Sequence, residues 1–268
     1  MPKYSLPLIA IIIAVAITAT MDFMGYTYLS AFPLILITAL FWSIQRLSRL
    51  EIGLRFGKLK YYGLALLYPI LVLGGAALCA YLYGDFSLKD VRSDELTINL
   101  VAGSLIGPIM VLLTEEGFFR GWLWGSLRRT GMSSIKVLFI TSLLFTIWHI
   151  SAVAADSDYG LPLKQIPIYL INATFLGLIW GMMRFVSGSI IVASVSHAVW
   201  NAFAYALFGF GENVGALGIT NTAWFGPEVG YLGIALNGAF FLWMWIRFGK
   251  QIKSESESIS RDNPQALF

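Results

Sequence analysis

Long apolar runs separated by short polar connections recur eight times along the chain, at residues 6–20, 29–44, 62–83, 98–124, 137–155, 166–183, 189–210 and 229–246. Most come near the ~20 residues that cross a ~30 Å hydrocarbon layer, and the first two reach it by drawing on the flanking Met21, Phe23 and Tyr28. Backbone amides in lipid must be paired within their own segment, so each run is predicted helical. The expected fold class is all-α, a polytopic membrane helical bundle of about eight transmembrane helices, with residues 1–253 forming one domain. Residues 254–268 are mostly Ser, Glu, Arg, Asp and Pro with no core-forming pattern, and are expected to be a mobile polar tail. The first run, behind Lys3, is short enough to be a secretory signal peptide; an uncleaved anchor is the expectation taken here.

Charge in the connections alternates. Arg46, Arg49, Arg55, Lys58 and Lys60 lie between the second and third runs, and Arg128, Arg129 and Lys136 between the fourth and fifth. The other connections hold Asp22, then Asp85, Asp90, Asp94 and Glu95 with Lys89 and Arg92, then Asp156 and Asp158 with Lys164, then Glu212 and Glu228. Basic connections stay on the cytoplasmic side, which puts both termini in the cytoplasm and the acidic connections outside, with Asp22, Asp156 and Asp158 at loop positions that solvation explains. Composition agrees: of 268 residues 57% are hydrophobic and only 12% charged, too apolar for a water-soluble core. A net charge of +3 without a basic run excludes a nucleic-acid surface. Cys79, the single cysteine, excludes an intramolecular disulfide and a multi-cysteine zinc site, and is assigned to packing.

Five ionisable residues interrupt the apolar pattern: Glu115, Glu116 and Arg120 in the fourth run, His149 in the fifth and His197 in the seventh. With the inner membrane edge at Arg128 and Arg129, Glu115 lies about 20 Å along a helix rising ~1.5 Å per residue. Two Glu and one Arg within a span cost on the order of 8–10 kcal/mol if uncompensated. Glu116 and Arg120 are spaced i,i+4 with the acid first, the favourable order for an ion pair within one helix. Glu115, about 140° away from Arg120 around an α-helix, must find its partner on another span, among His149, His197 and Asn201. His197 and Asn201 share one face one turn apart and can point at a single oxygen. Phe145 stands one turn before His149 and packs beside the imidazole.

Three patterns lie in order on three spans. Glu115-Glu116-Gly117-Phe118-Phe119-Arg120, then Phe145-Thr146-Ile147-Trp148-His149, then His197-Ala198-Val199-Trp200-Asn201 read as E-E-x-x-x-R, F-x-x-x-H and H-x-x-x-N. At these residues the chain resembles the CAAX protease and bacteriocin-processing membrane endopeptidases, which include the type II CAAX prenyl endopeptidase. The resemblance implies an eight-span helical bundle and a glutamate-dependent intramembrane endopeptidase. It further implies that Glu115 and His149 activate a water and that His197 and Asn201 stabilise the oxyanion, with Glu116, Arg120 and Phe145 supporting the site. The implied partners are the lipid bilayer and a prenylated or other membrane-associated peptide.

Independently of the name, a Glu carboxylate beside a His is a competent base for water, and two donors aimed at a carbonyl oxygen form an oxyanion hole. No cofactor is expected. A zinc protease with Glu115, His149 and His197 as ligands is the nearest chemical rival, disfavoured by the absence of a His-Glu-x-x-His helix. A non-catalytic membrane scaffold or bacteriocin self-immunity protein would use the same residues to brace the bundle. A proton-coupled transporter is disfavoured because the polar residues cluster in one half of the chain without an inverted repeat.

Overall fold

The computed structural model describes residues 3–88, 91, 96–155, 160–211 and 213–262. Asp90, Asp94, Glu95, Asp156, Asp158 and Glu212 lie outside them. The chain is a helical bundle: α1 (Ser5–Phe23), α2 (Pro33–Gln45), α3 (Lys60–Tyr83), α4 (Leu96–Leu113), the short α5 (Trp124–Arg129), α6 (Ser134–Trp148), the short α7 (Ile150–Ala154), α8 (Ile166–Ser187), α9 (Ile190–Phe208), the single turn α10 (Thr222–Phe225) and α11 (Tyr231–Asp262). A two-residue hairpin, Gly209–Phe210 against Asn213–Val214, follows α9.

Among the described residues, seven helices are long and apolar enough to cross a membrane, and the fourth expected crossing contributes the shorter apolar helix Gly103–Leu113. Outward-facing Leu8, Ile12, Leu36, Leu40, Ile70, Leu82, Leu105, Leu143 and Ile246 are exposed, an exterior that lipid stabilises and water would not. The protein is an integral membrane protein. Cys79 belongs to this exterior rather than to the core, contrary to its assignment to packing.

Small residues set the central contact. A Cβ on Gly103 would come within 2.8 Å of the Ala202 Cβ, and one on Gly107 within 3.2 Å of the Ala198 Cβ. Two small residues four apart on α4 thus lie against two four apart on α9. With no hydrophobic drive between helices in lipid, such close backbone approach is what joins them. The contact brings the helix leading into Glu115 against the one that carries His197 and Asn201.

The fourth crossing is not one continuous α-helix. After α4 the backbone widens into a π segment, Gly117–Leu123, before α5 resumes the ordinary winding. At Gly117 a Cβ would sit 2.4 Å from the Leu112 carbonyl oxygen, so the wide turn can close only on glycine. The fifth crossing breaks at His149, between α6 and α7. At the other end of the chain α11 carries the polar sequence on to Asp262, and Glu255 pairs with Arg128.

Asp22 is not a solvated loop residue. It sits in the last turn of α1, 1% exposed, and Ser151 Oγ of α7 donates to its Oδ2 at 2.6 Å. Beside it Trp148 Nε1 donates to Thr18 Oγ1 at 2.8 Å, and Thr18 Oγ1 donates to the Ser30 carbonyl at 3.1 Å. These bonds fasten the N-terminal helical hairpin across the end of α6, closing one side of the site.

Candidate functional site

The two acids that lead into the π segment have different surroundings. Glu116 and Arg120 are fully buried, and Arg120 Nη1 lies 3.1 Å from Glu116 Oε1. Arg120 Nη2 donates to the Gly177 carbonyl at 3.2 Å, and the guanidinium stands 4.2 Å from the centre of the Phe145 ring. A lone charge in this interior would be strongly unfavourable; paired, hydrogen-bonded and packed on an aromatic face, the arginine is retained. The i,i+4 pairing expected of these residues is present.

Glu116 has a second partner that its own helix does not provide. His197 Nδ1 lies 3.0 Å from the same Oε1, and the imidazole is stacked on Trp180 with ring centres 3.7 Å apart and 13° between planes. His149 is held comparably: its Nδ1 lies 2.8 Å from the Phe145 carbonyl, and the rings of Phe145 and Trp148 meet it edge-on at 4.4 and 4.7 Å. A carbonyl only accepts, so His149 donates from Nδ1, and a neutral His149 presents a lone pair at Nε2.

Both Nε2 atoms point to one place. Glu115 Oε2 is 3.8 Å from His149 Nε2 and 3.8 Å from His197 Nε2, beyond direct hydrogen-bonding distance, so the three groups face one another without pairing. Glu115, its side chain 14% exposed, opens with both histidines, Phe145 and Asn201 onto a cavity of about 180 Å³. A single water needs roughly 10–15 Å³ on this measure, so the space admits water together with part of a larger molecule. Thr18, Thr27, Tyr28 and Ser30 from the N-terminal hairpin close its far wall. Among the described residues no three His, Cys, Asp or Glu are grouped so as to hold a metal ion.

Glu228, read from the sequence as part of an external connection, lines this same cavity and is 5% exposed. Trp200 Nε1, one turn along from His197 and next to Asn201 in the chain, donates to Glu228 Oε1. The turn that carries Glu228 folds back into the bundle because buried amides satisfy its backbone. Asn172 Nδ2 of α8 donates to the Glu228 carbonyl at 2.9 Å, Asn237 Nδ2 of α11 to the Pro227 carbonyl at 3.2 Å, and Tyr68 completes the network by donating to Asn237 Oδ1 at 2.6 Å. Irregular backbone survives at such depth only where protein pairs it. Asn172 and Asn237, two uncharged amides within apolar runs, were the available signal for this turn, as Trp180 was for the imidazole stack.

All seven residues singled out from the sequence therefore gather at one place: Glu115, His149, His197 and Asn201 on the cavity with Phe145, and Glu116 and Arg120 directly behind. No curated protein matches the chain. Residues 97–203, which run from the start of α4 into α9 and contain all seven, match the family model described as type II CAAX prenyl endopeptidase Rce1-like. That match spans the three ordered motifs on three crossings, and over these residues the chain is similar to the Rce1-like type II CAAX prenyl endopeptidases.

Proposed function

We propose that this protein is a glutamate-dependent intramembrane endopeptidase that hydrolyses a peptide bond in a prenylated CAAX peptide or another membrane-associated peptide. In this reading a water lies between Glu115 Oε2 and the two Nε2 atoms. Glu115, with His149 accepting at Nε2, removes a proton as the water oxygen attacks the carbonyl carbon. Charge then develops on the carbonyl oxygen, where Asn201 Nδ2 and, when its ring carries both protons, His197 Nε2 donate. Each such donor is worth roughly 10²–10³ in rate. Glu116 and Arg120 hold His197, and no covalent intermediate is required.

The observation that carries this reading is the equal 3.8 Å spacing of Glu115 Oε2 from two imidazoles whose Nδ1 atoms are already committed elsewhere. Three groups so arranged ask for a shared hydrogen-bonding molecule. A bracing role would be met better by direct contacts.

The deciding experiment uses purified protein in lipid nanodiscs with farnesylated and unmodified C-terminal peptides, comparing wild type with Glu115→Gln, His149→Ala and His197→Ala. Cleavage by wild type and its loss in all three folded variants is the expected result. Full turnover in all three overturns the reading. A folded wild type inert on every peptide favours the scaffold role, and inhibition by a chelator with rescue by zinc favours the metalloprotease.

A further inference from the structure

Hydrolysis of an amide needs two proton movements: one away from the attacking water and one onto the leaving nitrogen. Glu115 and His149 serve the first. Glu228 is a second buried carboxyl on the same cavity, and no step above uses it.

Its setting differs from that of a structural acid. Glu116, the structural one, is matched by Arg120 and His197, whereas Glu228 has no cation in contact among the described residues. Trp200 Nε1 donates to Oε1 of this carboxyl, which lines the cavity. The backbone beneath is pinned by Asn172 and Asn237, so the carboxyl is held in place although it belongs to a turn. Trp200 is itself stacked on Tyr68 with 7° between planes, which fixes the donor.

We propose that Glu228 is the general acid of the reaction, donating its carboxyl proton to the leaving amide nitrogen. This rests on the endopeptidase reading above. As the tetrahedral intermediate collapses, the C–N bond breaks with its electron pair going to nitrogen, and nitrogen takes the proton from Glu228. The acyl carbon keeps the attacking oxygen as a carboxylic acid. Glu228 is left as carboxylate and Glu115 protonated, and transfer of that proton through cavity water restores both, for a net consumption of one water. Burial supports the role by raising the Glu228 pKa to about 7, against the Trp200 hydrogen bond and the His197 charge, with Glu115 adding to the rise. The ionisable groups around it are Glu115, His197 and Tyr68.

The test uses the full chain in nanodiscs and two substrates: a farnesylated peptide amide, and the 4-nitrophenyl ester of a peptide ending in farnesyl-cysteine, whose leaving phenolate departs unprotonated. Glu228→Gln keeps an acceptor for Trp200 but carries no acidic proton. It should lose about 100-fold or more on the amide and less than about 5-fold on the ester, and Glu228→Asp should recover part of the amide rate. Glu115→Gln should lose both substrates. Unchanged amide turnover in Glu228→Gln, or equal loss on both substrates, overturns the assignment to Glu228 and leaves the endopeptidase standing. A wild type inert on both overturns the two together.

Discussion

The Glu116 carboxylate lies 3.0 Å from His197 Nδ1, which joins the acid just before the π segment to an imidazole of α9. Arg120 approaches the same oxygen at 3.1 Å, so the buried pair acts as the mount for a histidine as well as its own neutralisation. Removing one member of a buried pair leaves the other charge stranded, at roughly 3–5 kcal/mol. Arg120→Met alone should therefore lower the unfolding temperature sharply. The double variant Glu116→Leu, Arg120→Met should regain most of that stability and still fail to cleave, because His197 no longer has its Nδ1 acceptor. Thermal unfolding in detergent beside a cleavage assay separates the effects, and an active double variant would show that Glu116 does not position His197.

The glycines of α4 set how near Glu115 comes to His197. At Gly103 an added Cβ falls 2.8 Å from Ala202 Cβ, closer than such atoms pack, whereas at Gly107 the distance to Ala198 is 3.2 Å. Gly103→Ala should therefore lose more activity than Gly107→Ala, and Gly103→Ile should push the helices apart with about 1–3 kcal/mol of destabilisation and little residual turnover. Equal tolerance at the two positions would mean that α4 and α9 are not held by this contact.

Hydropathy alone reveals the bundle, and ionisable groups inside apolar runs, rare enough to stand out, mark most of the residues that gather on the cavity. Asp22 and Glu228 were misplaced for one shared reason. Both lie at the ends of runs, where a hydropathy profile cannot distinguish a connection that faces water from one that folds back into protein. The π segment was equally hidden. Its wide turn closes locally, Gly117 lying over the Leu112 carbonyl five residues earlier, and a single such turn leaves no periodic signature in sequence. Angular estimates on an ideal helix still sent Glu115 toward the histidines. They did not anticipate that Glu115 and Glu116 would flank the same imidazole.

The orientation in the membrane that the basic connections predict can be tested chemically. Cys79 is the only native cysteine and lies on the outer face of the bundle, so Cys79→Ser should keep full activity and provides a background for labelling. Phe56 and Leu88, 78% and 67% exposed, sit in the connections before and after α3. A cysteine at Leu88 should react with a membrane-impermeant maleimide applied from outside, and one at Phe56 only after permeabilisation. Labelling of both from the same side would remove the proposed cytoplasmic placement of the termini.

Glu228 makes stability depend on pH in a direction opposite to that of a paired carboxylate. Its folded pKa of about 7 stands above the ordinary 4.5, so the unfolded chain loses this proton first as pH rises. Stability from this group is fully present below about pH 4.5, falls between there and about pH 7, and is level above. Glutamine stays neutral throughout. Glu228→Gln should thus match wild type in acid and become the more stable protein as pH rises through that window, by up to on the order of 3 kcal/mol at about 1.36 kcal/mol per unit. Unfolding temperatures of the two proteins from pH 4.5 to 8 check it. A gap that closes with rising pH would mean that Glu228 is held as a carboxylate, and so could not supply the proton assigned to it.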